Sequence, residues 1–97
     1  MKESAIVRAI ITAVRANYPE AWCGKLADRH TRGLPDLVIV FRGYVLFVEV
    51  KMPGSKLRPL QAAVASSLRR AGGNFVVASK AADVRNELEK IKYARTV

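Results

Sequence analysis

Two apolar runs, Leu37 to Phe41 and Tyr44 to Val50, stand on either side of Arg42-Gly43. β-Branched and aromatic residues fill both runs, and a two-residue connector ending in glycine is the signature of a tight β-hairpin. Asn or Asp would suit the first turn position better than Arg42. The register follows by counting outward from the turn: Phe41 faces Tyr44, Leu37 faces Val48, and Asp36 falls directly opposite Glu49. Side chains alternate between the faces of a strand, so Lys51 shares a face with Asp36 and Glu49. Val38, Val40, Val45 and Phe47 continue that face, while Leu37, Ile39, Phe41, Tyr44, Leu46, Val48 and Val50 form the other. Both faces are apolar, so the hairpin is expected at the centre of a sheet covered on both sides.

The flanking segments supply the covers. Ile6, Ile10, Ala13 and Val14 fall on one stripe of residues 3–16, and Arg8 and Arg15 on another, the pattern of an amphipathic helix that ends at Asn17-Tyr18-Pro19. Ala21 to Leu26 reads as a short strand, and a polar, basic loop follows it. Leu57 or Arg58 opens a second helix, with Pro59 in its first turn and Gly72-Gly73 closing it. Asn74 to Ala78 is a fourth strand. Ser79 is expected to cap a third helix reaching about Lys90, leaving a frayed tail. The order is αβββαβα, an α/β chain around a small mixed sheet, and its 97 residues (1–97) suit one domain.

Charge narrows the partner. Seventeen Lys+Arg against eight Asp+Glu leave a formal net charge of +9, which points to a polyanion, with nucleic acid ahead of a membrane surface. No segment approaches the length of an apolar membrane span, and Lys2 and Glu3 lead straight into a helical pattern rather than a signal peptide. The lone Cys23 makes no disulfide framework and is expected half-buried beside Trp22. A cytoplasmic location is expected.

Two acids and a lysine at the end of an apolar hairpin are costly neighbours. Burying like charges so close requires a counter-ion, a shared proton or a metal. A hard divalent cation takes oxygen ligands, and Asp36, Glu49 and the carbonyl of Val50 would supply them. Such an ion would activate a bound water and stabilise charge on a phosphate. Lys51 could orient or deprotonate that water, or neutralise the phosphorane. The same Glu-x-Lys spacing also suits an ordinary same-face ion pair. Lys25, Arg29, His30 and Arg32 precede the first acid, and Lys56 and Arg58 follow the lysine, so cations approach from both chain directions, which fits a binder of a nucleic-acid backbone.

Gly33-Leu34-Pro35-Asp36, then Val48-Glu49-Val50-Lys51, then Leu57 to Gln61 resemble the VRR-NUC (virus-type replication-repair nuclease) family, a branch of the PD-(D/E)XK nuclease superfamily. The resemblance covers about residues 3–80, and the Gly-Gly before the fourth strand belongs to it. It implies a restriction-endonuclease-like αβββαβ core, to which the third helix is an extra C-terminal element, and phosphodiester hydrolysis dependent on Mg²⁺ or Mn²⁺. Asp36 and Glu49 would be metal ligands and Lys51 the catalytic lysine. Gln61 matches the family's glutamine near the site, and Glu3 matches its N-terminal acid as a further ligand. Short family members are typical of phage and prophage and are similar to Holliday-junction resolvases. That favours a homodimer acting on branched DNA in a bacterial host cell. A flap, nicking or end-processing nuclease and a non-cleaving nucleic-acid-binding module are the alternatives.

Overall fold

The computed structural model describes residues 2–28 and 30–96, the last two by backbone alone. Its elements are α1 (Glu3–Asn17), β1 (Trp22–Lys25), β2 (Leu37–Phe41), β3 (Tyr44–Val50), α2 (Pro59–Arg70), β4 (Asn74–Ala78) and α3 (Ala81–Thr96). The sheet runs in the order β1-β2-β3-β4; β1 and β2, and β2 and β3, pair antiparallel, while β4 joins β3 in parallel through α2. A parallel neighbour cannot be reached by a tight turn, so α2 is the obligatory crossover.

The hairpin turns at Arg42-Gly43, both with positive φ (51° and 83°), the geometry that matches the twist of the strands it joins. A non-glycine residue is uncommon in that region. Arg42 is held there from outside: its guanidinium pairs with Glu20 at 3.2 Å and lies 5.3 Å from the centre of the Phe41 ring. The register runs from Phe41↔Tyr44 to Leu37↔Val48, as counted. Asp36 lies just beyond the last ladder pair.

One face of the sheet is fully covered. Leu37, Ile39, Phe41, Leu46, Val48, Val50 and Ala78 pack against Ile6, Ile10, Val14 and Tyr18 of α1 and its end, and against Val84, Leu88 and Ile91 of α3. Tyr18 stands edge-on to Phe41, with ring centres 5.4 Å apart, and donates a 2.6 Å hydrogen bond to Glu89, joining the two helices. The second face departs from the expectation of cover on both sides. α2 packs mainly against β4 and meets β3 where Gln61 reaches Glu49; just after the helix, Gly73 lies against the Phe47 ring, 2.9 Å from where a Cβ would stand. Over β1 and β2 this face is open: Trp22 is 62 % and Val40 38 % exposed, and the two are partners in the ladder.

Two further expectations change. Asp83, not Ser79, secures the start of α3: its carboxylate accepts the backbone N–H groups of Ser79 (2.9 Å) and Lys80 (3.2 Å). The helix also continues past Lys90 to Thr96, because Ile91 still reaches the core.

Candidate active site

The open mouth of the hairpin gathers the acids. Pro35 is buried and commits the chain to extended backbone, which brings Asp36 between β1 and β3. The Asp36 carbonyl accepts the Leu26 N–H at 3.0 Å, and its carboxylate accepts the Val50 N–H at 2.8 Å. Where the ladder stops, the side chain of Asp36 takes over from backbone pairing. Glu49 follows Val48 on β3 and is only 4 % exposed; Lys51 is 7 % exposed, and its N–H donates to the Ala78 carbonyl. The Lys51 ammonium stands 3.8 Å from Oε2 of Glu49.

α2 contributes the fourth side chain. The amide oxygen of Gln61 accepts the Arg58 N–H at 2.9 Å, so the amide nitrogen must face the other way, and it donates to Oε2 of Glu49 at 3.1 Å. One glutamine thus secures the first turn of α2 and fixes one carboxylate oxygen of Glu49.

The electrostatics suit a cation. Burial, and next the charge of Asp36, push the Glu49 carboxyl up to about 7, against the opposing pull of Lys51. Glu3 adds to the same upward push and lines with Asp36, Ser4, Val7 and Lys25 a cleft of about 340 Å³. Among the described residues no three His, Cys, Asp or Glu side chains converge closely enough to cage an ion. Two adjacent carboxylates, one raised by its neighbour, fit a hard divalent ion that keeps part of its water shell. Two hollows of larger volume, about 410 and 800 Å³, lie along α3 among residues such as Asn86 and Glu89, and contain none of these groups. The chemistry, not the volume, selects the hairpin mouth.

The VRR-NUC domain model matches residues 1–82. The chain belongs to the VRR-NUC family. It is therefore a nuclease domain of the PD-(D/E)XK type. A solved structure described as a VRR_NUC domain is similar to it at 27 % identity and a TM-score of 0.76, covering 90 % of this chain and 94 % of that one. A second, a VRR_NUC domain protein at 20 % identity, shares the fold with a TM-score of 0.74, covering 95 % of this chain and 86 % of that one. No curated protein matches the chain.

On this VRR-NUC domain the expected DNA contacts surround the site unevenly. Lys25 lines the cleft with Asp36. Arg58 is exposed at the start of α2, its backbone N–H linked to Glu49 by two hydrogen bonds through Gln61, and Lys56 is exposed just before it. Arg32 is exposed in a loop whose Gly33 lies close against Leu60 of α2. The His30 N–H and the Thr31 hydroxyl both donate to the Asp28 carboxylate, which folds that loop on itself. Arg29 lies outside the described residues. Arg8 and Arg15, read from sequence as the polar stripe of a helix, line a groove against β1. Their seven-residue spacing puts them on one side of α1, but only the tertiary structure shows what lies beside them.

Proposed function

We propose that this VRR-NUC domain is an endonuclease that hydrolyses DNA phosphodiesters with Mg²⁺ or Mn²⁺. The observation that supports this best is the meeting of Asp36, Glu49, Lys51 and Gln61 at the mouth of one hairpin, with Glu49 and Lys51 almost wholly buried. Asp36, Glu49 and the Val50 carbonyl would hold the ion, with Glu3 as a further ligand reaching from α1. The ion would supply an acidified water and a counter-charge for the phosphate. Lys51, pinned beside Glu49, holds a positive charge where the attacked phosphoryl group gains negative charge. It also orients the attacking water. Gln61 keeps Glu49 in the rotamer that serves the ion, an indirect role of the sort that usually matters in metal sites. Lys25, Arg32, Lys56 and Arg58, with Arg29 and His30, hold the DNA backbone by charge.

A pair of chains related by a two-fold axis would carry two such sites. That is what paired incision of a four-way junction needs, and C2 pairs are the commonest assembly. Branched DNA and a homodimer are thus the favoured form of the reading. The test is to incubate labelled four-way junction, flap, single strand and linear duplex with the protein in Mg²⁺ or Mn²⁺. Asp36→Asn is the control, because an amide can still accept the Val50 N–H while losing the charge. Cleavage by wild type and none by the variant is expected. Paired symmetric cuts would favour the resolvase form, and cuts confined to one flap strand the end-processing form. A wild type that binds but never cuts would leave a binding module instead.

A further inference from the structure

A groove of about 390 Å³ runs between α1 and the edge strand β1, lined by Arg8, Ile11, Thr12, Arg15, Cys23 and Lys25. Lys25 also lines the cleft that holds Asp36 and Glu3, so the groove adjoins the candidate site at that residue. From Glu3 to Arg15 the cleft and the groove follow α1 for about 18 Å, at the helical rise of ~1.5 Å per residue. Arg8, Arg15 and Lys25 are exposed, and none forms an ion pair with a described residue. The acids elsewhere are engaged: Glu20 with Arg42, Glu87 with Lys90, Glu89 with Tyr18. Arg8, Arg15 and Lys25 therefore present uncompensated positive charge along one track that begins beside Glu3 and Asp36.

We propose that this groove carries the sugar-phosphate backbone of a single nucleic-acid strand leading away from the candidate site, with Lys25, Arg8 and Arg15 contacting successive phosphates. The proposal deepens the nuclease reading and rests on it for the direction of the strand. The proposal commits to one strand, since a groove of about 390 Å³ admits one backbone and not the width of a duplex. The contacts are to phosphate and so read no sequence. Ile11, Thr12 and Cys23 line the groove together with the three cations.

The test measures binding, in Ca²⁺ so that cleavage does not intervene, of a single-stranded oligonucleotide and a blunt duplex across a salt series. Arg8→Glu/Arg15→Glu is compared with Arg70→Glu/Lys90→Glu, which makes the same change of charge at the end of α2 and in the second half of α3. The groove variant is expected to lose at least about tenfold in affinity for the single strand, and its salt slope to shrink by about 1.4, two contacts at ~0.7 each. The control is expected to lose less and keep its slope. Equal losses in both variants, no loss in either, or a loss for duplex alone would overturn the proposal. Cys23, the chain's one cysteine, gives a second reading: bound single strand should slow its reaction with a thiol reagent, and an unchanged rate would count against occupancy of the groove. A protein that passes these tests yet never cuts would refute the nuclease reading and leave the groove standing.

Discussion

Glu49 is the residue on which the site turns. Its carboxyl titrates near 7 in the folded chain against an ordinary 4.5, raised first by burial and then by Asp36. The folded state therefore holds the proton more tightly than the unfolded chain. The stabilisation from this group is fully present below about pH 4.5 and is lost as pH rises through about 7. In EDTA, the Tm of wild type relative to Glu49→Gln should fall between pH 5 and pH 8. Mg²⁺ added at pH 8 should restore it in wild type and do little for the variant, since an ion that binds only the folded state stabilises by mass action. A difference between the two proteins that ignores pH would refute the raised value. Gln61 acts through Glu49: Gln61→Ala removes the donor to Oε2 and should slow cleavage by about 10- to 100-fold. An unchanged rate in Gln61→Ala would mean that Glu49 needs no such support.

At the scale of elements, turns and helix ends decide how well the site is held. Gly33 sits at φ 81°, and a Cβ there would come within 2.9 Å of the Leu60 carbonyl oxygen. Gly33→Ala should cost about 1–3 kcal/mol, read as a lower urea midpoint, because both the backbone conformation and the approach of the loop to α2 forbid a side chain. Asp83→Ala strips two backbone donors of their acceptor and should cost about 1–2 kcal/mol. The hairpin was legible from sequence because turn chemistry and a period of two both pointed to one register. Asp36 was legible as the partner of Glu49, but its bond to the Val50 N–H was not, since a side chain replacing a ladder bond leaves no periodic trace. Ser79 and Asp83 both suit a helix start, and only the path of the chain shows which one reaches the free N–H groups. The half-open second face was equally hidden. Val38 and Val40 of β2 look like core residues until α2 is seen to lie over the β3–β4 side of the sheet.

At the scale of the molecule, the family match ends at residue 82, whereas the core does not. Val84, Leu88 and Ile91 of α3 close the face that α1 leaves uncovered, with the first two wholly buried. Leu88→Ala should cost about 2–5 kcal/mol, and a chain cut after residue 82 should fail to give a cooperative thermal transition. A truncated chain that melts cooperatively would show that α3 is dispensable. If two copies pair to cut junctions, sedimentation at micromolar concentration should show a species of about twice the chain mass. The one tryptophan has a separate consequence for how such experiments are read. Trp22 remains largely in water in the native state, with the far edge of its indole lying over Gly24, two residues along the sheet from the level of Asp36. Its emission should barely change colour on unfolding. A nucleobase docked over this open face should quench the same fluorophore, so an oligonucleotide titration would read occupancy from a signal that stays nearly silent about folding.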